Sequence, residues 1–255
     1  MKYWQLSNPK IACDYIMLDE FQYSSSVLLE VILRQNCQKI YVGDKYQSIN
    51  QYRGCINAMD IVPCTSLSLS NAFRYGQTIA DLATKILRHD NPDIQITGLG
   101  FDTDIVKGSE YNESHTLLYI ANSNAELQNI LLECYKSGVP AKFVTNKAKY
   151  SADNLEILLS LADKQGPTIS AHKEYETLEH ALIHPKSNET RIFGELILND
   201  PDRAKSMLAA LRWSLSVTDS DAKIFLTTAH GCKGLEFDHV MLTDDFYCCL
   251  GLKLS

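Results

Sequence analysis

The segment from Tyr15 to Gly54, YIMLDEFQYSSSVLLEVILRQNCQKIYVGDKYQSINQYRG, holds two apolar runs that each close on an acid. One ends in Leu18-Asp19-Glu20 and the other in Val42-Gly43-Asp44. A short apolar run without alternation describes a strand covered on both faces, as in a parallel sheet. Two such strands in parallel need a crossover, and the stretch 24–35 reads as the connecting helix. Ligands of open α/β sheets collect outside the carboxyl ends of the strands, which is where these acids stand. The pattern therefore constrains the chain to an α/β class with parallel pairing.

An acid followed by a second acid at a strand end is a usual arrangement for holding a nucleotide-bound magnesium and orienting a water toward a γ-phosphate. Asp19 would hold the metal and Glu20 the water. The plainer reading is that Asp-Glu only caps the next helix. Together, LDEFQ and GDKYQSINQYRG resemble the UvrD/Rep/PcrA group of superfamily 1 DNA helicases. Downstream, LSLSNAFRYGQTIADLA (67–83) is similar to that family's Asn-Tyr-Arg-Ser segment, and TAHGCKGLEFDHVML (228–242) to its Lys-Gly-Leu-Glu-Phe motif. YIANSNAEL and GVPAKFVTNKAKYSADNLEILLSLA resemble segments of the family's second motor domain. All five occur in the family's order, and the phrasing leans toward the F-box DNA helicase branch.

The resemblance implies two RecA-like parallel-sheet domains, the first incomplete. It also implies ATP and magnesium as cofactors and single-stranded DNA as partner. A phosphate-cradling loop needs Gly-x4-Gly-Lys-Ser/Thr. None of the 12 glycines is followed by lysine, and eighteen residues precede Asp19. The family's last arginine motif is also not found before Ser255. The expectation is a middle and late part of a motor, its Walker A segment supplied by a separate chain or lost, and silent as an ATPase alone. A non-catalytic strand- or partner-binding module is the alternative.

The 255 residues, 45 % apolar, suffice for one large or two modest cores. No apolar run of membrane-spanning length and no charged leader is present, and the eight cysteines form no C-x-x-C pair, reading as reduced cytosolic thiols. The net charge of −7 argues against a general electrostatic grip on nucleic acid. Stacking in a narrow groove remains open.

Residues 1–98 read as the first domain, with strands at 15–19, 39–43 and 66–70 and helices at 24–35 and 76–88. The polar stretch 99–115 reads as a linker. Residues 116–255 read as the second domain: strands at 116–121, 141–145, 223–228 and 239–243, helices at 123–137 and 151–164, and a helical insertion near 172–216. An uncompleted first sheet would leave 16–19 with unpaired backbone groups and an uncovered apolar face, a liability.

By resemblance Gln47 senses the γ-phosphate and Arg74 is an arginine finger. Gly234 and Glu236 face the nucleotide, Thr228 and His230 lie near the DNA backbone, and Tyr52 stacks on a base beside Arg53. Stacking of that kind is worth about 1–3 kcal/mol. Each has a plainer reading: a turn residue for Gln47, an exposed charge for Arg74, a core aromatic for Tyr52, a structural imidazole for His230. Four positions depart from the family: Tyr23 replaces a second Asp, Asn50 a stacking Tyr, Asn122 an Arg, and Cys55 an Ala.

Overall fold

The computed structural model describes residues 2–48, 57–106, 115–163 and 175–246. The chain is mixed α/β with parallel sheets and divides into two compact units, Met1–Ile105 and Val106–Ser255. Among the described residues no helix is long and apolar enough to cross a membrane.

The first unit runs α1 (Lys2–Leu6), β1 (Tyr15–Leu18), α2 (Ser26–Leu33), β2 (Gln38–Tyr41), α3 (Ala58–Ile61), β3 (Asn71–Ala72), α4 (Gln77–Leu87) and β4 (Thr97–Gly98). β1 and β2 pair in parallel, Tyr15 opposite Gln38 through Leu18 opposite Tyr41. The crossover helix α2 starts where the Ser25 hydroxyl accepts the Leu28 N–H, and it buries Leu29, Val31 and Ile32. Just past it the buried Gln35 donates to the Val31 and Pro9 carbonyls and accepts the Ile11 N–H, which fastens the segment before β1 to the helix end. Phe21 stacks on Tyr41 at 4.2 Å between ring centres.

Two expectations change here. The acid-ended strands are not covered on both faces: Tyr15 and Met17 are each 59 % exposed and Ile40 is 45 % exposed. Among the described residues only the face with Ile16, Leu18 and Tyr41 is half-buried, so the run is apolar without being enclosed. The expected strand at 66–70 is not regular structure, and its alternating Leu67 and Leu69 lie open to solvent. Pairing falls instead at β3, which runs parallel to β4 at the end of the brief strand-like run IQIT (94–97). Alternation selects a face but provides no neighbour to pair with.

The second unit comprises β5 (Leu117–Ala121), α5 (Asn124–Ser137), β6 (Ala141–Phe143), α6 (Lys147–Ala162), α7 (Leu178–Ile183), α8 (Asn188–Asn199), α9 (Pro201–Ser216), β7 (Ile224–Thr228) and β8 (Val240–Leu242). Its four strands are all parallel in the order β6-β7-β5-β8, with Leu117 opposite Ile224 and Leu118 opposite Val240. The helical stretch resolves into three helices because side-chain acceptors restart it. Thr177, Ser187 and Asp200 each accept an N–H three residues on, and Pro201 opens α9. Leu127, Leu131, Leu155, Leu158, Phe193 and Leu211 make a continuous apolar core with Leu226 of the sheet.

One carboxylate lies within that helical layer. Glu189 in the first turn of α8 accepts from Gln128 at 3.0 Å and Ser151 at 2.7 Å and pairs with Lys147 at 3.1 Å. All three partners, from α5 and α6, meet its Oε1, which makes its partial burial tolerable.

Because β1 and β2 expose a whole apolar face while β5 and β7 lie centrally in a four-stranded sheet, their amides differ in protection. Hydrogen exchange on a dilute monomer should find residues 16–18 and 39–41 exchanging faster than 118–120 and 225–227. Equal protection would mean that the first sheet is completed by something else.

Candidate functional site

β1 delivers Asp19 and Glu20 to its carboxyl end, both exposed. Asp19 Oδ1 accepts the Glu20 N–H at 2.8 Å. Glu20 has φ 52 and ψ 39, a left-handed conformation unusual for a side-chain-bearing residue. Its carboxylate accepts from Gln22 Nε2 at 2.6 Å. Gln22 is fully buried, and its Oε1 accepts the Asp44 N–H at 3.1 Å from the end of β2. Asp44 in turn accepts the Tyr46 N–H at 2.9 Å and the Gln47 side-chain amide at 3.0 Å, while the Tyr23 hydroxyl donates to the Gln47 carbonyl.

The two acid-ended strands are thus joined by one hydrogen-bonded chain, Glu20 to Gln22 to Asp44 to Gln47. The sequence marks Glu20, Asp44 and Gln47 and gives Gln22 no separate role. Gln22 carried a signal, an uncharged amide two residues past an acid and bordering an apolar aromatic. Tyr23, noted only as a departure, has a structural partner of its own.

Arg74 is exposed on a separate turn between β3 and α4. That turn is clamped against residues 98–103: the Gly100 N–H donates to the Tyr75 carbonyl at 3.0 Å, the Leu99 N–H to Ala72 at 2.7 Å, and the Gly76 N–H to Thr103 Oγ1 at 3.2 Å. A β-carbon at Gly100 would lie 2.5 Å from Tyr75 N and 2.7 Å from Phe73 O, so only glycine permits this approach. The glycine that shapes the arginine's loop comes from the expected linker, 99–115.

In the second unit Thr228 ends β7 and its carbonyl accepts the N–H groups of Gly231 (2.8 Å) and Cys232 (3.0 Å), turning the chain immediately after the strand. His230 and Glu236 are exposed, and Gly234 has φ 81, which favours glycine. Burial pushes the Cys232 thiol up against the opposing pull of a backbone hydrogen bond, so it is a poor nucleophile.

Beside this loop, at the carboxyl ends of β5 and β8, Asp245 accepts from the Asn122 N–H at 2.9 Å, the Ser123 N–H at 2.8 Å and the Thr243 hydroxyl at 2.6 Å. Partial burial pushes the Asp245 carboxyl up, but the bonds from Thr243, Asn122 and Ser123 outweigh it and hold the carboxyl below its ordinary value of 3.8. An internal anion therefore sits at the β5–α5 loop, where Asn122 replaces the family's arginine. Tyr52 and Arg53, with Asn50 and Cys55, lie outside the described residues.

The chain is similar to two known proteins over nearly all its length. It is 28 % identical to F-box DNA helicase protein 1 of Schizosaccharomyces pombe across 91 % of the chain, and 25 % identical to F-box DNA helicase 1 of Gallus gallus across 96 %. It spans 29 % and 26 % of those relatives' lengths. No protein-family model matches it. The likeness to the F-box DNA helicase branch that the motifs carry is borne out by these relatives.

Gly100→Ala should destabilise the first unit by about 1–3 kcal/mol, because the added methyl group meets backbone that cannot rotate away. Thermal or urea unfolding of that unit is the check, and an unchanged midpoint would refute the clamp. A carboxyl depressed on folding contributes stability above its unfolded value and loses it as pH falls through the folded one. The second unit should therefore lose stability below pH 3.8 partly through Asp245, and Asp245→Asn should flatten that part of the pH–stability curve.

Proposed function

We propose that this chain is a motor segment of an ATP-driven DNA helicase, one that couples nucleotide hydrolysis to 3′-to-5′ movement along single-stranded DNA on RecA-like domains. The observation that carries the reading is the hydrogen-bonded chain linking Glu20 to Gln47. A group that orients an attacking water and a group that reads the terminal phosphate must be held in register with each other.

In this reading Asp19 binds magnesium, Glu20 orients the water, Gln47 contacts the γ-phosphate and Arg74 offsets transition-state charge. Gly234 and Glu236 meet the nucleotide. Thr228, His230, Tyr52 and Arg53 track the strand. The donor set suits the metal: magnesium usually takes one or two protein carboxylates and completes its shell with water and phosphate, and Asp19 is an exposed carboxylate at a strand end. Magnesium–ATP, when bound, supplies the transferable phosphoryl group and the charge that neutralises it. The residues of this chain hold the metal, place the water and bind the strand. The phosphate-cradling Gly-Lys-Ser/Thr loop would be supplied from outside these 255 residues, by another segment or a separate chain.

Fluorescence anisotropy with a labelled single strand tests the strand contact. The chain should bind weakly, without sequence preference, and more weakly as salt rises. Tyr52→Ala and His230→Ala should each reduce the affinity, and no binding at low salt would remove the DNA reading. In parallel, the chain alone should hydrolyse no ATP on addition of DNA. Turnover on the order of 1 per second that disappears in Glu20→Gln would show the cradle to be complete within it.

A further inference from the structure

Gln22, in the middle of the hydrogen-bonded chain, has no role in the reading above, yet its geometry is closely constrained. Gln22 is 0 % exposed. A buried amide carries donors and an acceptor that must all find partners. Here the two ends are used in opposite directions, the NH2 toward the Glu20 carboxylate at 2.6 Å and the carbonyl oxygen toward the Asp44 N–H at 3.1 Å. The room for this side chain comes from Gly43, where a β-carbon would stand 2.4 Å from Gln22 Oε1 and 3.1 Å from Phe21 N. The backbone around it is locked as well, since the Phe21 N–H donates to the Val42 carbonyl at 2.9 Å.

Glu20 itself sits in the left-handed region. A residue with a side chain keeps such a conformation only where the surroundings over-determine it. The Asp19 carboxylate on its N–H and the Gln22 amide on its carboxylate are two such restraints.

We infer that Gln22 is a positioning residue, a two-ended strut that fixes the direction of the Glu20 carboxylate and ties it through Asp44 to Gln47. A displacement of the phosphate-facing Gln47 would pass to Glu20 through three hydrogen bonds, Gln47 to Asp44, Asp44 to Gln22 and Gln22 to Glu20, rather than through flexible chain. Tyr23 supports the far end by donating to the Gln47 carbonyl. The strut stands on geometry alone. Its catalytic consequence rests on the nucleotide reading above.

Three variants separate the two. Gln22→Met keeps the shape and removes both hydrogen bonds. Gln22→Glu keeps an acceptor for Asp44 N–H and removes the donor to Glu20, while Glu20→Gln removes the carboxylate. In the nucleotide-free chain, Gln22→Met should speed exchange of the Asp44 amide about tenfold, the loss expected for one net hydrogen bond, while Gln22→Glu leaves it slow. Unchanged exchange in Gln22→Met overturns the strut. In the motor assembled with its phosphate-cradling segment, Gln22→Met and Gln22→Glu should each lower kcat by roughly a hundredfold with little change in KM, as misplacement of a reacting group does. Adding Gln22→Met to Glu20→Gln should cost nothing more, because both act on one carboxylate. Additive losses, or a change in KM alone, overturn the positioning role. If Glu20→Gln leaves turnover intact, or the assembled motor has none, the nucleotide reading falls instead, and the amide exchange still decides the strut.

Discussion

Parallel pairing of β1 and β2 is the constraint on which the first unit depends. Two strands running the same way must return through a crossover, and they bring their carboxyl ends to the same edge. The Ser25 cap and the buried side of α2 make that return. Asp19, Glu20 and Asp44 therefore emerge side by side although 24 residues separate Glu20 from Asp44. An antiparallel hairpin of the same sequence would send the acids to opposite ends. The site is a consequence of strand direction first and of residue identity second.

An exposed carboxylate at a strand end does not hold itself in place. The uncharged Gln22 amide accepts the backbone N–H of Asp44 from one strand end and donates to the Glu20 carboxylate at the other, without adding charge. Gln22 does this at the cost of full burial, and Gly43 leaves the room for it. The second unit handles its anion differently. Asp245 keeps its charge among backbone N–H groups at the β5–α5 loop, so the position left uncharged by Asn122 is served by main-chain donors with a carboxylate already seated on them.

Much of this was legible from short stretches. The parallel strands, the crossover helix and most elements of the second unit announce themselves through runs, caps and spacing, which are local. Helices α7 to α9 read as one helical stretch, and their division follows from Thr177, Ser187 and Asp200 once the caps are sought. The parts that were not legible depend on residues distant in sequence. Leu67 and Leu69 carry a strand's alternation without a neighbour to pair with. Gly100 looks like a linker glycine and instead shapes the loop that carries Arg74. Gln22 reads as one letter of a motif, and its function as a strut needs Asp44 in view.

Glu189 has a consequence for how the helical layer can vary. Apolar contacts among α5, α6 and α8 are non-directional and let helices slide or exchange one aliphatic side chain for another at modest loss. A carboxylate that accepts from Gln128 and Ser151 and pairs with Lys147 allows neither, because shifting one helix strands a donor on another. Positions 128, 147, 151 and 189 consequently act as one pin through three helices, and removing the acid leaves the Gln128 amide and the Ser151 hydroxyl without the acceptor that fixes the helices' register.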